Sequence, residues 1–492
     1  MSSSQFNFDS NSTYYWRVKA NKSGYLESVS AVRSFRTPEE VVIIDERPKD
    51  QYEYSKSGNL AIDSEFYFTI LNGNFPESLG RDQRGMTAIG EHVYVVERRT
   101  VDDVTYAYLN EYHWKTGELE REILLTGDCY TLSNGSTLGY PGNDVFVDGA
   151  GHLCVSNMAV SFSNSSQLTV CTVNTTTGAT TRVFESNISA TMRIDYASAY
   201  GDVTANGGTI FGATSSVGSS NRDYIYRWTR DAYGDWTMEY TRLRSYYPSQ
   251  SGQTGNNGRG GRVMPIDYNR FIFDSDTSYP TLYNFSNGSR VRLSDSFSNN
   301  TSIRPDGRAC TGMCAITLQT GSTSTPLFIY SSDDSESDLY RFTIARNPNN
   351  YAYSSMSRAW SVPNSGMGKN GNAYLTCQPA AINRPDNNDG SVMLYIYVPY
   401  NGLAAYHIYD PDVQFNTGVD EIDDPNAFEI AYDGHEVSTP EIANFAIFTT
   451  AGALAITEYD TQKVNITNLT TGVYIVKAVS GARVATRTIV IR

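Results

Sequence analysis

Eight polar residues stand before or near short apolar segments of the sequence, and their side chains could bind a ligand. They are Arg84, Asn143, Asp144, Arg193, Asp202, Arg259, Arg262 and Gln378. Guanidinium and carboxamide groups bind hydroxyl and carbonyl groups, and nearby tyrosine rings can stack on the apolar faces of a sugar. The set therefore predicts a polar site for a glycan or a protein. The alternative is that the aspartates and arginines pair with one another and only fix loops.

An enzyme is the second hypothesis. A polysaccharide lyase, a glycosidase or a lactonase would need converging carboxylates, or a base beside an arginine. The candidate group is Arg193, Asp202 and Arg262, and these side chains would have to lie within about 10 Å of one another to act on one substrate. The five histidines have no recognisable spacing. No catalytic residue is therefore assigned, and a non-catalytic binding protein is the favoured hypothesis.

Metal sites and cofactors have little support in the sequence. The six cysteines form no Cys-x-x-Cys pair and have no histidine partner at zinc spacing, so we expect no structural metal. Calcium is the one ion that acidic clusters could hold, at Asp274 and Asp276 or within residues 333–338, although plain exposed turns are favoured. Cys154 and Cys171 could face each other across neighbouring strands, but buried free thiols are favoured over disulfides.

Composition and charge argue against two classes of partner. The chain has 492 residues, of which 53 are acidic and 38 basic, and a formal net charge of −15. Nucleic acids and anionic membranes bind clustered basic residues, whereas those of this chain are scattered, so neither partner is expected. No apolar run approaches the roughly 20 residues that span a bilayer. Frequent tyrosine (36) and glycine (39) favour strands and turns over helices. We expect the protein to be a monomer.

One pattern recurs six times: a short apolar strand, a turn of glycine, aspartate or asparagine, and a second apolar strand. Comparable points lie at residues 86, 143, 201, 262, 313 and 377, so the steps are 57, 58, 61, 51 and 64 residues. A tyrosine-rich third strand follows each copy, and several copies continue into a fourth. Such four-stranded units are typical of β-propeller blades, whereas tandem sandwich domains would repeat about every 100 residues. We therefore predict an all-β fold with a six-bladed propeller over residues 61–412.

The sixth copy lacks an obvious fourth strand after Asp410. In many propellers a strand from one end of the chain completes the blade built by the other end. Glu65–Leu71 (EFYFTIL) precedes the first copy, so we predict that it closes the ring. Propeller ligands usually bind at one mouth of the central channel, and by analogy with that fold the eight polar residues would lie there, with Arg193 reaching in from a connecting loop.

The first 38 residues carry an aromatic strand and a closing strand. In NSTYYWRVKANKSGYLESVSAVRSFRTPEE, the residues Tyr14 or Tyr15, Trp16, Val18 and Phe35 resemble the last strands of a fibronectin type III domain. The resemblance implies part of a β-sandwich, and the alternative is an unrelated pair of tyrosine-rich strands. Residues 39–60 are interpreted as a linker. The first residues are unlike a signal peptide, so we expect that a natural N-terminal part is missing.

The last residues carry the most specific motif. The segment Leu469–Lys477 (LTTGVYIVK) is followed by a turn at Gly481 and by a final strand rich in valine and isoleucine. It resembles the C-terminal sorting domain of the type IX secretion system of Gram-negative bacteria. The resemblance implies contact with the secretion machinery and export to the medium or to the outer-membrane cell surface.

Residues 441–492 are predicted to form this module as a small β-sandwich. Alternation along the motif places Tyr474 and Val476 inward. The acidic segment at 413–440 is interpreted as a solvated linker between the propeller and the module.

Overall fold

The computed structural model describes most of the chain. The described residues are 13–16, 19–20, 28–29, 33–36, 48–50, 55–79, 83–160, 167–187, 193–215, 224–243, 257–276, 278–291, 300, 303, 312–320, 323–333, 339–368, 377–386, 389–411, 430–432, 435–449, 454–470, 472–480 and 483–491. Strands predominate, and the helices of this described part are short 3-10 turns. These are Ile70–Asn72, Glu77–Leu79, Asp128–Tyr130 and Tyr353–Ser355. The predicted all-β fold is confirmed.

The chain divides into two compact units, Met1–Pro48 and Lys49–Arg492. The strands of the first unit are β1 (Thr13–Trp16), β2 (Lys19–Ala20), β3 (Ser28–Val29) and β4 (Arg33–Arg36). β1 pairs antiparallel with β4, where Tyr14 lies opposite Phe35, and β2 pairs with β3. The predicted aromatic strand therefore pairs with the predicted closing strand.

The second unit contains six consecutive sheets, here numbered I to VI, whose strands are mostly antiparallel. Two strands, β5 (Ser55–Ser57) and β6 (Leu60–Thr69), precede sheet I in the chain. Sheet I contains β7 (Gln83–Ile89), β8 (His92–Val101), β9 (Val104–His113) and β10 (Leu119–Leu124). Sheet II contains β11 (Thr126–Gly127), β12 (Asp144–Val147), β13 (Leu153–Ser156), β14 (Gln167–Val173) and β15 (Ala179–Asn187).

Sheets III to VI repeat the same meander. Sheet III contains β16 (Arg193–Tyr200), β17 (Thr209–Ser215), β18 (Ile225–Arg230) and β19 (Trp236–Thr241). Sheet IV contains β20 (Arg262–Pro265), β21 (Arg270–Ser275) and β22 (Ser278–Asn284). Sheet V contains β23 (Met313–Thr320), β24 (Thr323–Asp333), β25 (Tyr340–Arg346) and β26 (Ser357–Met367). Sheet VI contains β27 (Gln378–Asn383), β28 (Val392–Val398) and β29 (Gly402–Tyr409), followed by β6 and β5.

Each sheet packs its two faces against the sheets before and after it. Six hydrophobic clusters join neighbouring sheets in the order I–II, II–III, III–IV, IV–V, V–VI and VI–I. Representative pairs are Tyr94 with Val145, Cys154 with Ile210, Phe211 with Phe271, Ile272 with Phe328, Ile329 with Leu394, and Tyr395 with Val95. Adjacent residues such as Ile210 and Phe211 enter different clusters because strand side chains alternate between faces. The last of the six clusters therefore joins sheet VI to sheet I.

This two-sided burial explains why the middle strands are almost continuously apolar. All seven residues of β28 (VMLYIYV) are buried, and so are all seven of β17. The outer strand β10 has one buried residue among its six. A fourth strand at the rim has a neighbouring strand on one side only and is more open to solvent, so it can carry charged residues.

The segment that precedes the first copy supplies the fourth strand of the sixth sheet. β6 pairs antiparallel with β29, and Phe66 lies opposite Ala405. The strand ends at Thr69 rather than Leu71, because the Thr69 hydroxyl accepts a hydrogen bond from the Leu71 N–H and starts a 3-10 turn. Gly73 ends that turn with φ 74°, a backbone conformation that glycine adopts without strain.

The C-terminal strands form one five-stranded sheet. They are β30 (Ala431–Tyr432), β31 (Glu436–Thr449), β32 (Leu454–Asn465), β33 (Gly472–Ser480) and β34 (Arg483–Ile491). β31 pairs with both β32 and β33, and β33 pairs with β34. Tyr474 and Val476 are buried in the core of this sheet, as the alternation predicts. Whether the sheet is half of a sandwich stays a prediction.

A search of the described residues for membrane-crossing helices gives no candidate of sufficient length and apolarity.

Candidate ligand site in the central cavity

One edge strand of each sheet lines a single cavity of about 520 Å³. These six strands, here called the first strands, are β7, β12, β16, β20, β23 and β27. Each first strand contributes consecutive residues, and small or apolar side chains such as Ala88, Val147, Ala199 and Ala381 make up much of the wall. Arg262 is the only charged side chain among the described lining residues. The cavity is therefore a largely uncharged space with one guanidinium group.

The starts of the first strands meet at one end of this cavity. Asp144 begins β12, Arg262 begins β20 and Gln378 begins β27. The Arg262 guanidinium contacts both carboxylate oxygens of Asp144, with Nη2–Oδ1 at 3.2 Å and Nη1–Oδ2 at 3.4 Å. Gln378 Nε2 donates to Asp144 Oδ1 at 3.1 Å, and Gln378 Oε1 accepts from the Met86 N–H. Side chains from sheets II, IV and VI and the backbone of sheet I thus form one network, here named the arginine network.

Asp144 lies at the centre of the arginine network and is fully buried. Its close fit requires glycine at position 85, since a Cβ there would lie 2.5 Å from Asp144 Oδ1. Burial raises the pKa of Asp144 to about 6, although Arg262 and Gln378 act in the opposite direction. Desolvation of the carboxylate therefore outweighs the ion pair.

Arg262 also lies beside an aromatic ring and a second carboxylate. Its guanidinium carbon is 3.9 Å from the centre of the Tyr196 ring, a cation–π contact. Asp274 is the direct cross-strand partner of Arg262, so the two side chains share one face of sheet IV. Asp274 is fully buried, and its carboxylate receives only a weak interaction from the Gly312 N–H, short of full hydrogen-bond geometry. Burial raises the pKa of Asp274 well above its ordinary value, although Arg262 lowers it.

Two more of the predicted residues meet beside this network. Arg193 Nη2 lies 2.6 Å from Oδ1 of the buried Asp195. Asn143 Nδ2 donates to the Asp195 carbonyl oxygen, and the Ser215 hydroxyl donates to Asp195 Oδ2. Arg193 is the first residue of β16 rather than part of a connecting loop. Asn143 thus joins sheet II to Asp195 of sheet III, and Arg193 pairs with the same aspartate within β16. Sequence reasoning missed Asp195.

Asp202 was wrongly predicted to lie at this end of the cavity. Arg193 begins β16 and Asp202 follows its last residue, Tyr200, so the two are separated by about 25–30 Å at about 3.3 Å per residue. Asp202 accepts hydrogen bonds from the Thr204 N–H and hydroxyl in a turn. Because Arg193, Asp202 and Arg262 do not converge, the enzyme hypothesis built on these three residues is wrong.

Arg259 and Arg84 complete the predicted set. Arg259 is about half exposed, its Nε lies 3.6 Å from Asp276 Oδ2, and its N–H donates to Asp276 Oδ1. Neither Arg259 nor Arg84 lines the cavity. Arg84 is half-buried on β7, next to Gly85. The two predicted calcium ligands Asp274 and Asp276 thus each have an arginine neighbour, and most of residues 333–338 lie outside the described residues.

A histidine cluster occupies the far end of β12. His152 Nδ1 lies 3.0 Å from Asp148 Oδ2 and 3.6 Å from Asp202 Oδ1. The buried Asp148 carboxylate accepts the backbone N–H groups of Ala150, His152 and Val203. The hydrogen bond to Asp148 raises the pKa of His152. The three side chains are close enough to hold a metal ion, but Asp148 already fixes its own turn and joins it to sheet III.

The expectation that Cys154 and Cys171 face each other is wrong. Cys171 lies opposite Val155, and Cys154 lies opposite Thr172. Directly opposite residues share a face and neighbours alternate, so the two thiols lie on opposite faces of sheet II. Both are buried and free, as the favoured interpretation predicts.

The C-terminal residues match a known family. Residues 426–492 match the model of the secretion system C-terminal sorting domain, so the predicted sorting domain is confirmed. Its match begins earlier than the predicted start at 441. The domain marks proteins of the Bacteroidetes for secretion or for the cell surface. This all-β chain is therefore a secreted or cell-surface protein.

Comparison of the whole chain gives more distant similarity. The chain is similar to a DUF4623 family protein from Bacteroides eggerthii, with 13% identity, a TM-score of 0.49, and coverage of 81% of this chain and 83% of the other. It is also similar to Sqt1 of Saccharomyces cerevisiae, with 8% identity, a TM-score of 0.32, and coverage of 87% and 98%. Both TM-scores are below 0.5, so no property of either protein is transferred to this chain. No curated protein matches it.

Proposed function

We propose that sheets I to VI are the blades of a six-bladed β-propeller. The cyclic series of hydrophobic clusters supports this, because each sheet is packed between two others and VI is packed against I. The cavity lined by six first strands supports a central channel. The pairing of β6 with β29 supports closure by a strand that precedes the first blade.

The proposed function is that of an exported binding protein whose ligand enters this channel. One observation carries the proposal: the first strands of all six sheets converge on a cavity, and Arg262 is the single charged group among its described lining residues. The Arg262 side chain is 16% exposed, so part of its guanidinium group faces the cavity. A guanidinium donor above the Tyr196 ring fits the hydroxyl groups of a sugar. We therefore favour the end of a glycan over a protein segment as ligand.

The two ends of the chain have supporting roles in this proposal. The sorting domain delivers the propeller to the cell surface or the medium. The strands β1 to β4 are proposed to be the end of a fibronectin type III domain.

A cavity-filling variant tests the channel as the binding site. Ala315 lines the cavity and its side chain is exposed, so Ala315→Trp fills the space without disturbing the arginine network. Ala431→Trp is the matched control, because Ala431 is an exposed alanine of β30 in the sorting domain. We expect a glycan-array hit of the wild type to bind Ala315→Trp at least tenfold more weakly and Ala431→Trp unchanged. Full binding by Ala315→Trp would place the ligand elsewhere.

A turnover assay on any glycan that binds tests the polysaccharide lyase, glycosidase and lactonase hypotheses. Asp144 has the raised pKa of an acid catalyst, but it is fully buried behind Arg262 and Gln378. We expect no release of reducing ends or of unsaturated products from any glycan that binds. Turnover by the wild type that Asp144→Asn abolishes would replace the binding-protein proposal with an enzyme.

A further inference from the structure

A second cavity lies at the rim of sheet I, away from the central cavity. This outer cavity has a volume of about 650 Å³ and is lined by residues 103–106, 124–127, 130–131 and 137–139. It lies where β9 begins, where β10 ends, and where the connection to sheet II starts. We propose that the outer cavity is a second ligand site, for a neutral and mainly apolar small molecule.

The walls of the outer cavity leave aliphatic side chains open to solvent. Val104 is 50% exposed and Leu124 is 41% exposed, while Leu125 and Leu138 form a buried floor. Covering apolar surface gains about 25 cal/mol per Å², so a ligand with an apolar ring or chain is favoured. The volume lies within the roughly 300–1,000 Å³ range of small-molecule sites.

Charge defines the ligand further. Among the described residues that line the outer cavity, Asp103 is the only charged one, and none is a lysine or an arginine. An anionic ligand would therefore meet a carboxylate and no cation. Uncharged hydroxyl groups line it instead, from Thr105, Thr126, Thr131 and Thr137. They can bind one or two polar atoms of a neutral ligand.

The outer cavity is held open by internal hydrogen bonds. The Tyr130 hydroxyl accepts from the Ala107 N–H at 2.9 Å and lies 2.9 Å from the Leu125 carbonyl oxygen. The Leu138 N–H donates to the Tyr130 carbonyl oxygen at 2.8 Å, and Thr131 bridges to Thr137. These contacts use the polar groups of the loop itself, so the cavity is formed before a ligand binds.

Two leucines of β10 provide a matched test. Leu124 lines the outer cavity, whereas Leu119 is 38% exposed at the other end of the same strand and does not line it. Titration of the full chain with the neutral dye Nile red should show one bound dye with blue-shifted emission. We expect Leu124→Asp to weaken the affinity at least tenfold and Leu119→Asp to leave it unchanged. Both positions are exposed, so neither change removes a core residue.

A filling variant guards against an effect of charge alone. Thr137 is exposed and lines the cavity, and Thr137→Trp should also abolish dye binding while it adds apolar surface. Absence of stoichiometric binding by the wild type would overturn the proposal. Equal loss in Leu124→Asp and Leu119→Asp would do the same, because it would indicate unspecific adsorption on an apolar edge.

Discussion

The two ends of β12 carry aspartates whose carboxylates are both buried but are satisfied in different ways. Asp144, at the start of the strand, is bound by the side chains of Arg262 and Gln378 from two other sheets. Asp148, just after the strand, is bound by backbone N–H groups of its own turn and of Val203. The first arrangement needs strands of sheets II, IV and VI, whereas the second needs one turn and one neighbouring sheet. Burial of an aspartate alone therefore does not show which end of β12 belongs to a ligand site.

The largest effect is expected from removing the guanidinium group of the arginine network. Arg262→Leu leaves Asp144 and Asp274 buried without a cation, which costs about 3–5 kcal/mol of unfolding free energy. Arg259→Leu is the control, because its pair with Asp276 is half exposed and should contribute less than about 1 kcal/mol. Guanidinium chloride denaturation measures both. Similar small losses in the two variants would mean that the arginine network does not hold the sheets together.

A smaller loss is expected at the other end of β12. Asp148→Ala removes the acceptor of three backbone N–H groups and the partner of His152, so the loss should be about 2–3 kcal/mol. The effect should be local, with amide exchange accelerated in the turn after β12 and near Val203. Exchange that accelerates equally in sheets V and VI would contradict the contrast between the two ends.

Substitution of Asp274 is expected to increase the stability of the protein, in contrast to the two changes above. Asp274 is buried with only a weak interaction from the Gly312 N–H, so Asp274→Leu should raise the unfolding free energy at pH 7 by about 1–3 kcal/mol. The folded-state pKa of Asp274 is raised, so its protonated form contributes stability that is present below the unfolded pKa of about 4 and is lost as pH rises through the folded pKa. The gain from Asp274→Leu should therefore shrink as pH falls from the folded pKa towards about 4, and it should change little below that pH. Thermal unfolding at pH 3.5 and 7 measures this, and a destabilised variant at pH 7 would reveal a bound partner of Asp274.

The smallest effect is expected from His152. Its pKa is raised by Asp148, so its charged form contributes stability that is present below pH 6.5 and is lost as pH rises through the folded pKa. The side chain is 41% exposed, so His152→Gln should cost less than about 1 kcal/mol at pH 5.5 and still less at pH 8.5. Denaturation at the two pH values, with His435→Gln as a control for an exposed histidine of the sorting domain, checks the sign. A larger loss at pH 8.5 would contradict it.

Six of the eight predicted site residues lie at or next to the start of a first strand. The repeats in the sequence predicted these positions. Arg84, Asn143, Asp144, Arg193, Arg262 and Gln378 stand at recurring positions of the sheet unit. The repeat also predicted a strand for the sixth sheet, since one copy lacked its fourth strand. Asp202 was misplaced because it lies beyond β16, whose whole length separates it from Arg193.

Asp195 was missed, and Asp274 was considered only as a possible calcium ligand, because each is a single acidic residue within a strand of mainly apolar residues. A polar residue inside such a strand was a usable signal, since burial of a carboxylate requires a reason. The partner could not be inferred, however. Asp195 contacts Asn143 from another sheet, and Asp144 is bound from two sheets more than 100 residues away in the sequence.

The sequence by itself determined the strand content, the six-fold spacing, the closing strand and the sorting motif. Each of these depends on local alternation, on turn residues or on a short contiguous motif, which a linear sequence carries. Only the tertiary structure decided which polar groups meet. Asp144 is bound by Arg262 and Gln378 because the six sheets pack in a cycle, and the outer cavity exists because the loop after β10 is fixed by its own hydrogen bonds. Contacts between distant strands depend on how sheets pack against one another, and no local pattern records that packing.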